Sequence, residues 1–414
     1  MDNEVMQTVR HVLLLVLIVF GIGIISGRVA KWLRLPDVVL FIGAGMLLGQ
    51  GMHLIAEQSS SLTNQLILAV GSALILFDGG RNIRWHGLKK VAVSVTLLST
   101  VGVVITAGLC GYVAHEAFGL DWMTSLLIGA VISSTDPATI IPVFRQVKVR
   151  ERLRETVESE SAFNDATGSI LTFALLAAIV GGQSLNIGEI SYDFLRTALG
   201  GIAVGLVISF IVVFLVAHAS WGWFREYAAI SMISVSLAAY LAGDMLHVSG
   251  LMATFTAGLV WGNAHLLGLS VPDKQKEMGH VADNASVMMR MFIFILLGSQ
   301  VDFSLLGEYL WPSLAVVAIL VFIARPLTVF ASVLPDLRSR WTWKEMLFMC
   351  WVRETGVIPA ALSGIIVASG IPYADRIAAV VLMAVVFTIL VQASTSAWLA
   401  RKLGLEEKDS TPIE

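Results

Sequence analysis

Charge is scarce in this chain. Asp, Glu, Lys and Arg make up 14% of its 414 residues, where soluble chains carry about a quarter. That deficit excludes a water-soluble enzyme of one or two domains. Cysteine is scarcer still. Cys110 and Cys350 both lie inside apolar runs, so neither a disulfide framework nor a cysteine metal site is supported. The net charge of −3 offers no basic surface to nucleic acid. Long hydrophilic loops are missing, and the stretch after Ala400, RKLGLEEKDSTPIE, is too short for a regulatory domain. The start, MDNEVMQTVRHVLLLV, lacks a signal peptide's basic leader and small-residue cleavage site, and is expected to be a mature N-terminus.

What is present is hydrophobic: 57% of residues, with a mean hydropathy of +0.82. A membrane span with its short loop takes about 30 residues, which predicts about 13 or 14 spans. Thirteen apolar segments can be marked: 10–27, 36–53, 63–83, 91–114, 122–145, 154–181, 194–217, 226–243, 248–266, 284–301, 312–333, 343–369 and 375–400. Lipid admits only helices or closed barrels, and runs this long are helices rather than ten-residue alternating strands. The expected fold class is an all-α polytopic membrane protein of about 13 transmembrane helices.

Basic residues set the expected orientation. One set of loops holds 21 of them, from Arg28 to Lys408, while the alternate set holds only Arg10, Arg196 and Arg376. This places the N-terminus outside and the C-terminus in the cytoplasm, and it requires an odd number of spans.

Ionisable groups inside apolar helices are costly and are functional candidates by default. Six stand out: Asp78, Asp136, Glu160, Asp165, Arg325 and Arg353, with Arg290 a shallower and more structural seventh. At the helical rise, Asp78, Asp136, Asp165, Arg325 and Arg353 all fall about 20–24 Å below the outer surface. One polar site below the bilayer midplane explains five charges at one depth.

The fifth span, ISSTDPATIIPVF, carries Asp136-Pro137 in its middle, and the twelfth, CWVRETGVIPAALSGI, carries Gly356 and Pro359. Two interrupted helices in corresponding places suggest the crossed, unwound helices of an inverted-repeat transporter. Freed carbonyls there, such as that of Thr135, can coordinate a cation. In the sixth span, Ser161, Asn164, Asp165 and Gly168 share one helical face, with Glu160 at its edge. A hard alkali cation takes carboxylate, hydroxyl, carbonyl and water oxygens. A buried carboxylate holds either a proton or such a cation, so one Asp can couple the two without covalent chemistry.

These motifs resemble one family over nearly the whole chain: the monovalent cation:proton antiporters, in their sodium/proton exchanger (NhaP-like) branch. The pieces are Leu35-Pro36 through LFIGAGMLLGQGM, ILFDGGRNI (75–83), STDPA (134–138), ESAFNDA (160–166), AGLVWGN (257–263), LLGSQVDF (296–303) and IARPLTVF (323–330). The resemblance implies that Asp165 carries ion and proton in turn. It places Asn164 where an electrogenic sister branch has a second aspartate, which implies electroneutral exchange. Asp136, Ser161 and the Thr135 carbonyl would complete the ion site, with Asp78 nearby through water. Glu160 would form a structural ion pair with Arg325.

The expected activity is therefore secondary-active sodium (or lithium)/proton antiport by a homodimer in a bacterial-type inner membrane, without a cofactor. Core helices would lie at 91–182 and 312–402, scaffold and dimerisation helices at 1–90 and 183–301, and a short cytoplasmic tail at 403–414. Potassium in place of sodium is the nearest alternative. An ion channel lacks a visible filter, and a membrane-embedded aspartyl hydrolase lacks a substrate-cutting constellation.

One stretch departs from the family. Its twelfth helix usually carries a Gly-Leu-Arg-Gly-like run before the proline, where this chain has VRETGVIP. Thr355 takes the arginine's place, Arg353 lies two residues earlier, and Glu354 is an extra acid. Arg353 is then either a site residue or a partner of Glu354. Asp78 divides similarly between ligand neighbour and helix cap. The histidines read as interfacial residues, and the small residues around Gly200, Gly201 and Gly205 read as a helix-packing stripe that could also meet a second copy.

Overall fold

The computed structural model describes residues 2–33, 37–52, 54–55, 61–135, 144, 147, 149–182, 187–218, 224–269, 271–300 and 307–406. Among these the chain is helical, with one isolated bridge between Val149 and Glu406 and no sheet. Among the described residues, nine helices are long and apolar enough to cross a membrane, and four shorter apolar ones accompany them: Asp37–Gly49, Trp122–Val131, Gly250–Gly262 and Val357–Ala368. Together they match the thirteen segments of the hydropathy pattern, because each apolar run satisfies its backbone by coiling.

The first three spans are α1 (Asp2–Leu33), α2 (Asp37–Met46) and α3 (Leu62–Asn82). The fourth is a pair, α4 (Trp85–Ser99) and α5 (Val101–Phe118), that breaks at Thr100. The fifth begins with α6 (Trp122–Val131) and leaves the helix at Ile132. The sixth is the unbroken α7 (Glu151–Val180). Spans seven to ten are α8 (Ile187–Ala217), α9 (Ala228–Met245), α10 (Gly250–Gly262) and α11 (Gln275–Ser299). The eleventh is α12 (Leu310–Ile319) and α13 (Arg325–Val333), joined by a π-helical turn at Leu320–Ala324. The twelfth is α14 (Trp343–Trp351) and α15 (Val357–Ala368), with non-helical backbone over 352–356. The thirteenth is α16 (Ala374–Phe387) and α17 (Ser394–Leu403), joined by a second π-helical turn at Thr388–Ala393.

Two packing groups can be traced. In one, α10 packs on α3, α8 and α9, while α11 packs on α2 and α3. In the other, α5 packs on α6, α12 and α13, α4 on α7, and α12 and α15 on α16. Lipid supplies little hydrophobic drive between helices, so close backbone approach matters. Where α3 crosses α10, a Cβ on Gly80 would strike the Phe255 carbonyl, and one on Gly258 would strike that of Phe77. Gly201 and Gly205 likewise face Ser249, the N-cap of α10, and Ala253 within it, so this stripe packs within the chain.

On the basic-loop face, Thr342 and Glu345 form a capping box at the start of α14. Arg152 of α7 meets Glu345 at 2.9 Å, donates to the Ser339 carbonyl, and lies 4.3 Å above the Trp341 ring. This clamp fastens the sixth span to the entry of the twelfth.

Candidate functional site

The site is built where helices stop early. A helix C-terminus exposes carbonyl oxygens and a partial negative charge. Two such ends face the interior of the second packing group, those of α6 and α14, and each is met by an arginine. Arg353, in the break of the twelfth span, donates from Nη2 to the carbonyls of Ile132 (3.0 Å) and Ser133 (2.8 Å) at the end of α6. Arg325 donates from Nε to the Met349 carbonyl (2.8 Å) and from Nη2 to that of Val352 (3.2 Å) at the end of α14.

Arg325 also pairs with Glu160 of α7: Nη1 with Oε1, and Nη2 with Oε2 at 3.0 Å. Both side chains are only 2% exposed. A bidentate fork is the geometry that lets two buried charges neutralise each other. The π-helical turn immediately before Arg325 widens the helix and sets the direction in which this residue leaves it.

The polar face of α7 meets the unwound end of the fifth span. Asn164 Oδ1 accepts from the Thr135 backbone N–H (2.9 Å), and Asn164 Nδ2 donates to Thr135 Oγ1 (2.9 Å). Thr135 Oγ1 also shares a 2.6 Å hydrogen bond with Ser161 Oγ. Asn164 therefore acts as a substitute peptide, replacing helical partners that the fifth span has given up. Asp165, the next residue on α7, is 6% exposed, and its backbone carbonyl accepts from Ser169 Oγ (2.5 Å). Gly168 lies against Ser133, where a Cβ would sit 3.0 Å from the serine hydroxyl. Thr167 Oγ1 donates to the Ser99 carbonyl (2.5 Å) beside the Thr100 break, tying α7 to α4.

Thr135, Ser161 and Asn164 are thus in direct contact, with Asp165 adjacent on the same helix. Glu160, Arg325 and Arg353 line the two helix ends. Asp136 lies outside the described residues. Asp78 is held by other partners: its Oδ1 accepts from Arg81 Nη2 (2.6 Å) and Nε (3.0 Å), and its Oδ2 from Ser286 Oγ of α11 (3.3 Å). Arg81 also approaches Asp283 at 3.6 Å.

Several participants were not singled out from the sequence. Thr388 Oγ1 accepts from the Thr355 N–H (2.9 Å), and Gln392 Nε2 donates to the Trp351 carbonyl (2.7 Å), so the second π-helical turn closes the break of the twelfth span from behind. Gln392 is a buried amide in an otherwise apolar run, a signal of the same kind that marked the charges. The hydroxyls of Ser134, Thr355 and Ser363 are buried and have no hydrogen-bond partner among the described residues.

A family profile described as "Sodium/hydrogen exchanger, transmembrane" matches residues 14–402. The chain belongs to the sodium/hydrogen exchanger family. This exchanger is an integral membrane protein. It is 29% identical over 408 residues to a Na(+)/H(+) antiporter 1 of Methanocaldococcus jannaschii, covering 92% of this chain and 93% of that one. It is 30% identical over 413 residues to a K(+)/H(+) antiporter NhaP of Alkalimonas amylolytica, covering 98% of this chain and 69% of the relative. The solved structure of the sodium proton antiporter MjNhaP1 from Methanocaldococcus jannaschii at pH 8 superposes with a TM-score of 0.85 at 28% identity, covering 97% of this exchanger and all of that chain.

Proposed function

We propose that this exchanger is a secondary-active, electroneutral sodium (or lithium)/proton antiporter in which cation and proton compete for Asp165. The observation that carries this reading is the setting of Asp165. It is a buried acid beside the Thr135–Ser161–Asn164 cluster, where the fifth span has left its helix. Ser161 Oγ, the Thr135 oxygens and Asp136 are the oxygens proposed to complete a hard-cation shell around it. Asn164 stays neutral and structural, so a cycle moves one cation against one proton.

Glu160 with Arg325, and Arg353 on the α6 carbonyls, hold the two helix ends in place. Spans 4–6 and 11–13 (91–182 and 312–402) form the moving core. Residues 1–90 and 183–301 form the scaffold, where a second copy docks. Alternating access then carries the site across the membrane largely as a rigid body. The excess of basic residues on one set of loops supports a cytoplasmic C-terminus, and the proposed membrane is a bacterial-type inner membrane.

Potassium is the second reading, favoured by the similarity to the relative named as a K(+)/H(+) antiporter. The test is dissipation of a preset pH gradient in proteoliposomes on addition of Na⁺, Li⁺ or K⁺, with and without a clamped membrane potential. Collapse driven by Na⁺ and Li⁺, unchanged by the clamp and absent in Asp165→Asn, is expected. Collapse driven by K⁺ alone moves the assignment to the second reading. Activity retained in Asp165→Asn contradicts the carrier role.

A further inference from the structure

Outside the core, a cavity of about 760 Å³ opens on the basic-loop face between the ends of α3, α8 and α10 and the start of α11. This volume lies within the range of small-molecule sites, about 300–1,000 Å³. Its walls are of two kinds. The back is apolar and buried, formed by residues such as Val213, Val216, Trp261, Leu269 and Met278. The mouth carries Arg84, His86, His265 and Lys276, and no Asp or Glu is among the described residues that line the cavity.

Nearby carboxylates are already engaged: Glu155, which lies against Gly87, is shared among Lys90, Arg154 and Arg84. Asp78 and Asp283 meet Arg81, Asp273 meets Arg225 at 2.8 Å, and Glu277 meets Lys274 at 2.9 Å. Arg84 and Lys276 make no hydrogen bond or ion pair among the described residues, and both are exposed. Arg84 feels Glu155, which also answers Lys90 and Arg154, so cations outnumber acids at the rim, and a rim of net positive charge on a low-dielectric pocket focuses a positive potential into it.

We propose that this cavity binds the phosphate headgroup of an anionic phospholipid. The phosphate sits between Arg84 and Lys276, and the apolar part of the molecule follows the cavity wall. The shape of the lining favours an amphiphile over a free anion. Leu266, 56% exposed, lines the mouth beside the cations, and Trp85, 41% exposed, stands at the same level. Exposed Trp and Leu next to Arg and Lys mark the depth at which lipid headgroups lie. Inorganic phosphate has no use for the apolar wall.

The test uses the full chain in detergent, with the unfolding midpoint followed against short-chain phosphatidylglycerol, phosphatidylcholine of the same chain length, or inorganic phosphate. Saturable stabilisation by phosphatidylglycerol alone is expected. Arg84→Ala with Lys276→Ala should weaken it by about 25-fold, about fivefold for each cation removed. Arg84→Lys with Lys276→Arg should retain it and shows that the pocket still folds. Arg28→Ala with Arg338→Ala, which removes two exposed cations elsewhere, should leave it unchanged. Equal stabilisation by both lipids, or an undiminished effect in the Arg84/Lys276 double alanine variant, overturns the site. Stabilisation by inorganic phosphate with the same dependence on Arg84 and Lys276 overturns the lipid and makes the occupant a soluble phosphate.

Discussion

Arg353 places its Nη2 2.8 Å from the carbonyl oxygen of Ser133, joining the break of the twelfth span to the break of the fifth. Each break alone would leave a helix end unsatisfied in a medium with almost no water. Joined, they form one polar centre in which a guanidinium answers the carbonyls of α6, and a second guanidinium, from Arg325, answers those of α14.

Removing that contact should disassemble the centre. Arg353→Ala leaves the Ile132 and Ser133 carbonyls unpaired, at about 1–3 kcal/mol for each buried group. Thermal unfolding should move down and cation-driven exchange should fall together. Arg353→Lys should recover part of both, because an ammonium reaches one carbonyl more readily than two. Wild-type stability in Arg353→Ala would show that the two breaks do not depend on each other.

The hydroxyl of Thr135 joins Ser161 to Asn164. Thr135→Val keeps the shape and deletes both hydrogen bonds. The half-saturating cation concentration should rise by about tenfold, the effect of about 1.4 kcal/mol, while Thr135→Ser stays near wild type. Exchange assays across cation concentration distinguish the two. An unchanged half-saturating concentration in the valine variant would remove the Thr135 hydroxyl, though not its carbonyl, from the site.

Glu160→Gln leaves the Arg325 guanidinium buried without its counter-charge. Breaking one side of a buried pair costs about 3–5 kcal/mol, so the protein should unfold at markedly lower temperature in detergent. A variant as stable as wild type would mean that the Met349 and Val352 carbonyls, with the nearby Glu354 carboxylate, suffice to hold Arg325.

The loop between α13 and α14 should respond to acid. Burial alone would raise the Asp336 carboxyl, but hydrogen bonds from Ser94 Oγ (2.6 Å), Ser339 Oγ (2.7 Å) and the Ser339 N–H (3.2 Å) hold it below the ordinary carboxylate value. A carboxyl depressed by folding stabilises the fold above its unfolded pKa, about 3.9, and loses that contribution as pH falls through the folded value. Protection of the 334–342 amides, taken as exchange relative to the intrinsic rate at each pH, should therefore fall below about pH 4, and Ser94→Ala should move that onset to higher pH. Protection in this loop that does not change with acid would contradict the linkage.

Hydropathy made the spans legible, since lipid leaves the backbone little choice beyond helices. It also marked which charges were out of place. Azimuth was harder to read. Asp78 could be placed in depth from its position in the third span, yet its direction depends on how α3 packs, and it turns toward Arg81 and Ser286. The break of the twelfth span was legible from Gly356 and Pro359, but its cause was not. The backbone leaves the helix at Val352, and Pro359 sits in the first turn of α15, where its missing N–H costs nothing. What holds the strand open are side chains from other spans: Arg325, Thr388 and Gln392. The break at Thr100 carries no proline or glycine of its own, so the apolar run over 91–114 looks continuous in the sequence.

The most direct measurement is the pH dependence of the half-saturating Na⁺ concentration, taken from initial exchange rates in proteoliposomes with the pH held equal on both sides at the start. If proton and cation compete for Asp165, that concentration rises as pH falls, toward about tenfold per pH unit by mass action, while the rate at saturating Na⁺ changes far less. A half-saturating concentration that stays constant with pH, with only the maximal rate changing, would place proton and cation on separate groups and contradict the account.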